Sequence, residues 1–133
     1  MGTQLAHSQQ GNIFTNFDKT ITRADAYFDD YAFLSAIDLY KEVLEKEPEN
    51  GYAKIKIARA YKKLNNYQEA EKWFRAAIED NEYAQPLDQL YFAQVLMTNG
   101  KHQEARKWLV QYSQTQKDIR AIRLFGNFFH IRS

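Results

Sequence analysis

The chain carries the same phrase twice. Residues 68–74 read QEAEKWF, and residues 103–109, thirty-five positions later, read QEARKWL, so that each copy holds one of the only two tryptophans. Extending this register backwards divides most of the chain into three blocks of thirty-four residues, with one residue inserted before the third. We call them repeat 1 (17–50), repeat 2 (51–84) and repeat 3 (86–119). A period of this length is typical of arrays in which each unit packs against its neighbours.

Each repeat holds two amphipathic stretches joined by three or four polar residues. In repeat 2, Tyr52, Ile55, Ala58 and Tyr61 form one apolar stripe at a spacing near 3.6, which is typical of a helix. Helices joined by so short a turn pack antiparallel. The spacing therefore predicts an all-α protein with six helices, over residues 18–30, 33–46, 51–64, 67–80, 86–98 and 102–115.

Helix boundaries are marked by particular residues. Asn66, with Glu69 three residues later, predicts the start of the fourth helix, because this pair resembles a capping box. Pro86 is suited to the first position of the fifth helix. Asn99-Gly100 predicts the end of that helix, with glycine in the left-handed conformation. Residues 118–131 are apolar enough to form a seventh helix that covers the end of the array.

Equivalent positions of the three repeats hold similar residues. Position 8 is Ala24, Ala58 or Ala93, position 20 is Ala36, Ala70 or Ala105, and position 24 is Tyr40, Phe74 or Leu109. This pattern resembles the tetratricopeptide repeat, a helix-turn-helix unit of thirty-four residues. The resemblance implies a right-handed superhelical array over residues 17–119, with an N-terminal tail at 1–16 and a C-terminal capping helix at 120–133.

The residues that support chemistry are scarce. There is no cysteine, the histidines (His7, His102 and His130) lie far apart, and no phosphate-binding or nucleophile motif is present. We therefore predict no catalytic, cofactor or metal site and no enzyme activity. A formal charge of +1 does not favour nucleic acid, and no apolar run approaches the roughly 18 residues of a membrane span, so we expect no direct membrane insertion.

The resemblance implies that a protein or peptide partner binds the concave face, which the first helix of each repeat lines. A chaperone tail is not expected, because Ile21 and Asp25 replace the lysine and asparagine that grip such a tail. A basic cluster, Arg59, Lys62 and Lys63, predicts a peptide with an acidic group. The predicted partner-binding residues are Asp25, Tyr52, Arg59, Lys62, Lys63, Gln94 and Met97. The alternative is an ordinary solvated face whose apolar stripe is filled by residues 12–17.

A second function is also consistent with the sequence. The last stretch, DIRAIRLFGNFFHI, carries more apolar residues than one packing face requires. Phe125, Phe128 and Phe129 therefore predict a purely structural module, which docks a neighbouring domain or a second copy of the chain and forms a homo-oligomer.

A looser resemblance concerns cellular setting. The segment ADAYFDDYAFLSAIDLYKEVLEKEPEN, with KDIRAIRL further on, is similar to the amino-terminal part of certain Bacteroidetes envelope proteins. Those proteins join tetratricopeptide repeats to a β-propeller and a domain like that of outer-membrane protein A, and some serve type IX secretion. AHS before QQ has the small residues of a signal cleavage site, and the chain ends at Ser133 without a polar tail. We therefore expect a piece of a longer protein, in the periplasm or cell envelope rather than the cytoplasm.

Overall fold

The computed structural model describes the backbone of residues 19–132 and the side chains of residues 19–120, and every regular element in that range is a helix. The described part of α1 covers residues 19–29. The other five helices are α2 (Phe33–Lys46), α3 (Gly51–Lys63), α4 (Tyr67–Ala77), α5 (Pro86–Thr98) and α6 (His102–Arg132). The predicted all-α class is confirmed, and the predicted bounds of α2 and α5 agree with the structure.

The turn inside each repeat has the same backbone geometry. Its position 15 is left-handed in all three repeats: Tyr31 has φ +62°, Asn65 has φ +58° and Gly100 has φ +81°. The following amide donates to the carbonyl five residues earlier, at 2.8 Å, 3.0 Å and 2.8 Å in repeats 1 to 3. The predicted left-handed Gly100 is confirmed. Glycine and asparagine adopt this conformation readily, whereas a tyrosine there carries backbone strain.

Asparagine caps begin helices α3 and α4. The Asn50 side chain accepts the amide of Ala53 at 2.9 Å, and the Asn66 side chain accepts the amide of Glu69 at 3.2 Å. The predicted cap at Asn66 is thus confirmed, while the Glu69 carboxylate pairs with Lys72 at 2.8 Å. Pro86 opens α5 as expected.

The core lies between consecutive repeats as well as within them. The six alanines at positions 8 and 20 are completely buried, so the paired helices approach closely at these points. Helix α3 is buried on two sides: Ala53, Ile57 and Ala60 pack against repeat 1, while Ile55 and Ala58 pack against α4 and α5. Because repeat 2 completes the cores of both repeat 1 and repeat 3, the array folds as a continuous unit.

Helix α6 differs from the prediction. We expected a break near residues 115–118 and a separate seventh helix, but α6 continues without interruption for 31 residues. Residues 115–118, where the break was expected, contain no glycine or proline. One-turn contacts support the helix there: Thr115 Oγ1 donates to the Gln111 carbonyl at 2.9 Å, and Gln114 Nε2 to Asp118 Oδ1 at 3.1 Å. Residues 120–132 are helical, as predicted, but they extend α6.

The first helices lie on the inner side of the array. Helix α3 packs directly against α4 and also touches α5, the first helix of the next repeat. The second helices α2 and α4 have no comparably extensive contact. Since Asp25 of α1 contacts Tyr52 of α3, and α3 contacts α5, these first helices line one face, which the repeat register predicts to be the concave one.

Candidate partner-binding surface

Asp25 lies at the junction between repeats 1 and 2, where it serves as a shared acceptor. The phenol of Tyr40 donates a short hydrogen bond to its Oδ1, and the phenol of Tyr52 donates to its Oδ2 at 2.8 Å. The Lys56 ammonium lies 3.8 Å from Oδ1. Burial, with the hydrogen bond to Asp25, raises the pKa of both phenols above the ordinary value of about 10, so both remain protonated donors. Each carboxylate oxygen of Asp25 thus already accepts a hydrogen bond from the chain itself.

Arg59 occupies the same repeat position and joins repeats 2 and 3. Its Nε donates to Asp88 Oδ1 at 2.8 Å, and its Nη2 donates to Asp88 Oδ2 at 2.6 Å. Asp88 is only 1% exposed, and its Oδ2 also accepts the amide of Gln85 at 2.7 Å. These hydrogen bonds raise the pKa of Arg59. The predicted three-residue basic cluster is therefore reduced, because the Arg59 charge is neutralised by a buried carboxylate.

Lys62 and Lys63 end helix α3. The Lys62 ammonium lies 4.5 Å from the centroid of the Tyr91 ring on α5, a cation–π contact. Burial, and then the charge of Lys63, lower the pKa of Lys62. Lys63 is exposed. Among the side chains that the structure describes, neither lysine forms an ion pair with a carboxylate, so this pair carries the uncompensated positive charge of the concave face.

Gln94 and Met97 occupy positions 9 and 12 of repeat 3. In repeats 1 and 2 the residues at these positions contact the following repeat. Gln94 corresponds to Asp25 and Arg59 in the repeat register and is exposed. Met97 corresponds to Phe28 and Lys62 and is 46% exposed. Since Tyr91, Gln94 and Met97 are spaced by three residues on one helix, they form a continuous strip beside Lys62. The structure thus brings Lys62, Gln94 and Met97 to one end of the face, and leaves Asp25 and Tyr52 at the other.

Sequence reasoning missed the partners of these residues. Lys56 lies 3.7 Å above the centroid of the Phe28 ring. This contact matches the pair of Lys62 and Tyr91 one repeat later, with the cation and the ring exchanged. Asp88 was missed because an acidic residue after Pro86 is also the ordinary way to begin a helix. Comparing position 6 of each repeat with position 12 of the preceding one is the signal that would have found the cation–π pairs.

Trp73 and Trp108 are both half-buried on the second helices of their repeats, α4 and α6. Trp108 packs on Phe92, with ring centroids 5.2 Å apart. The predicted docking residues Phe125, Phe128 and Phe129 lie outside the described side chains, as does the segment 12–17. Within the described range, no helix combines the length and apolar character needed to cross a membrane, and no group of three potential ligands is arranged to hold a metal ion.

Comparison with known proteins supports the repeat architecture. Residues 27–87 match the family described as tetratricopeptide repeat. None of the curated proteins matches the sequence. Sixteen chains of solved structures match. One of these, a MamA mutant, has a TM-score of 0.69 and 20% sequence identity over 87% of this chain.

This chain spans 63% of the length of the MamA chain. At that level of identity the likeness establishes the fold alone. The envelope setting suggested by the second resemblance finds no support in these matches. The chain is an all-α array of helix-turn-helix repeats, in which residues 27–87 carry the tetratricopeptide repeat signature.

Proposed function

We propose that the protein is a non-enzymatic scaffold that binds an extended protein segment on the concave face, and that the segment carries acidic residues. The observation that supports this is the pair Lys62 and Lys63, which lacks a carboxylate partner among the described residues and adjoins the partly exposed strip of Tyr91, Gln94 and Met97. A tetratricopeptide array is in general a protein-interaction fold, and the concave face is its ordinary binding surface.

The chemistry of the strip indicates how such a segment binds. Lys63 is exposed and free to meet a carboxylate, while Tyr91 and Met97 offer apolar contact area for the side chains beside it. Gln94 lies between them and presents an amide that both donates and accepts hydrogen bonds. An extended segment with alternating acidic and apolar side chains matches this arrangement. Arg59 acts only indirectly, because its pairing with Asp88 holds α5 beside α3.

A selection from a displayed library of random peptides tests the proposal. We expect the recovered peptides to be enriched in glutamate and aspartate, and to lose binding to a Lys62→Glu, Lys63→Glu variant. The matched control is Lys107→Glu with Lys117→Glu, which changes the net charge equally at two exposed sites on α6. Equal loss in both variants, or recovery of peptides without acidic enrichment, would contradict the proposal.

The structural alternative is docking through Phe125, Phe128 and Phe129, with formation of a homo-oligomer. It stays a prediction, since those side chains lie outside the described residues. Light scattering after size-exclusion chromatography tests it: polar substitution of the three phenylalanines should then lower the measured mass. A monomer at all concentrations, unchanged by the substitutions, would contradict self-association, and the envelope setting likewise stays a prediction.

A further inference from the structure

The two edges of the array carry opposite charge. The connections α2–α3 and α4–α5 lie side by side, because Asn81 in the second donates to the Gly51 carbonyl at the end of the first at 3.0 Å. Exposed carboxylates crowd this edge, namely Glu45, Glu47, Glu49, Glu79, Asp80 and Glu82. The opposite edge, at the turns inside repeats 2 and 3, carries Lys62 and Lys63, together with Lys101, which pairs with Glu71. We call the first of these the acidic edge.

A groove with aromatic walls opens on the acidic edge. It consists of two adjoining cavities of about 460 and 540 Å³, which share Glu49, Gly51, Glu82 and Tyr83 in their lining. The rings of Tyr52 and Tyr83 pack edge to face with centroids 5.5 Å apart, and Tyr83 is 48% exposed. We call this surface the acidic groove. Apolar ring faces and carboxylates therefore line the same opening.

The walls of the acidic groove are held in place without a ligand. Asn81 Nδ2 donates to the Ala77 and Gly51 carbonyls, and its Oδ1 accepts the amide of Tyr83 at 3.0 Å. A side chain at Gly51 would displace Asn81 from these hydrogen bonds, because a Cβ would lie 2.6 Å from Asn81 Oδ1. The Tyr52 phenol is fixed by its hydrogen bond to Asp25. A partly preformed opening lowers the ordering cost of binding in the protein, which is then confined to exposed side chains such as Glu49 and Glu82.

The charge of the groove is largely uncompensated. Among the described residues, Lys54 is the only cationic one in the lining of either cavity; it pairs with Glu49 at 3.2 Å, and its side chain is 19% exposed. Glu79, Asp80 and Glu82 form no ion pair with any described side chain. The described residues do not form a metal-binding group here. The complementary ligand is thus an organic cation with apolar neighbours.

We propose that the acidic groove binds a basic peptide segment, with an arginine or lysine side chain lying against the ring of Tyr83 and between the carboxylates of Glu49 and Glu82. A guanidinium or ammonium group is attracted both to the face of an aromatic ring and to carboxylates, and the planar guanidinium also stacks on the ring. This surface is separate from the lysine pair of the proposed function, and it selects segments of the opposite charge.

Fluorescence anisotropy with two labelled octapeptides tests the inference. One probe alternates arginine and leucine, and the other has glutamate in place of arginine. We expect the basic probe to bind the protein, and binding to weaken by about tenfold in Glu49→Lys with Glu82→Lys, because two favourable charge contacts become repulsive. Tyr83→Ala should weaken binding about threefold through the lost ring, while Tyr83→Phe retains it.

The matched control is Asp38→Lys with Glu42→Lys, which makes the same change of net charge at two exposed sites on α2. Equal weakening in the control, unchanged binding in the groove variant, or no binding of the basic probe to the protein would each overturn the inference. Circular dichroism checks the fold of each variant. If the groove variant unfolds, Glu49→Gln with Glu82→Gln takes its place, with a smaller expected loss.

The two proposals fail separately in this experiment. Variants of Glu49 and Glu82 should leave binding of the glutamate probe intact, and variants of Lys62 and Lys63 should leave binding of the arginine probe intact. If substitutions at one surface change the binding of the probe expected at the other surface, the assignment of that probe to its surface is wrong.

Discussion

The junction between repeats 1 and 2 and the junction between repeats 2 and 3 use the same positions with exchanged chemistry. Position 9 is the acceptor Asp25 in the first junction and the donor Arg59 in the second. The pair of positions 12 and 6 is Phe28 under Lys56 in the first, and Lys62 over Tyr91 in the second. The two junctions therefore place their contacts at the same repeat positions, but the charges at those positions are exchanged.

This difference shows what each junction depends on. Between the first helices, the second junction has one ion pair, the half-buried Arg59 with the buried Asp88, whereas the first divides its polar contacts among Tyr40, Tyr52 and Lys56 around Asp25. The second helices of repeats 2 and 3, with the turn before α6, add exposed ion pairs of Glu71 with Lys101 and of Arg75 with Glu104. Removing one partner of a buried pair leaves a charge without compensation, but removing one of several donors leaves the others in place. We expect the second junction to be the more sensitive to a single substitution.

The largest expected effect is at the second junction. Asp88→Ala should lower the free energy of unfolding by about 3 kcal/mol, because it leaves the largely buried guanidinium of Arg59 unpaired. Urea unfolding measures the loss. Asp29→Ala, which removes an exposed carboxylate from α1, is the control and should cost less than about 0.5 kcal/mol. A loss below about 1 kcal/mol for Asp88→Ala would contradict the comparison.

The first junction should respond to alkaline pH. Burial and the hydrogen bond to Asp25 raise the pKa of Tyr40, so the unfolded chain loses this proton first as the pH rises above about 10. The stabilisation is complete below that pH and falls above it by about 1.4 kcal/mol per pH unit. Tyr40→Phe should remove this dependence, so that its stability relative to the unsubstituted protein rises across the same range. Parallel pH profiles would exclude the effect.

At neutral pH the same substitution measures how much a single hydrogen-bond donor contributes to the free energy of unfolding. Tyr40→Phe should cost about 1 kcal/mol, because Asp25 keeps the Tyr52 phenol and the nearby Lys56. Tyr52→Phe should cost less, since Tyr52 is less buried than the fully buried Tyr40. A cost for Tyr40→Phe equal to that for Asp88→Ala would remove the contrast between the junctions.

The smallest effect concerns the exchanged cation–π pairs. Lys62→Phe should cost about 0.5 kcal/mol by removing the contact with Tyr91. Adding Tyr91→Lys recreates in the second junction the order found at Phe28 and Lys56, and should recover most of that loss. A double-mutant cycle measures the coupling. Additive losses would show that the ring and the cation are not interchangeable at these positions.

Much of the fold could be predicted because the repeat period fixes which residues face inward. The alanines at positions 8 and 20 are buried in every repeat, and Asn66, Pro86 and Gly100 lie where their local preferences place them. The end of α6 was less predictable, because Gln114 to Asp118 is polar but contains nothing that stops a helix. Polarity predicts exposure, and exposure alone does not end a helix.

The candidate surfaces were predicted less well, for a different reason. Arg59, Lys62 and Lys63 look alike in the sequence, yet Arg59 is paired with a carboxylate twenty-nine residues away while the two lysines are not. The acidic edge was not anticipated, since its carboxylates are distributed between two connections that the sequence separates by thirty residues. Asn81 and Gly51 bring those connections together only in the folded array.

The sequence by itself determined the helices, their order and their register, because these follow from a repeated pattern of local spacing and small residues. Tertiary structure decided which charges are paired inside the array and which remain exposed. Pairing depends on distances between residues of consecutive repeats. Because position 9 is acidic in repeat 1 and basic in repeat 2, an alignment of the repeats does not show which residues pair. Among the described residues, the array thus presents Lys62 and Lys63 without an ion-pair partner at one edge, and Glu79, Asp80 and Glu82 without one at the other.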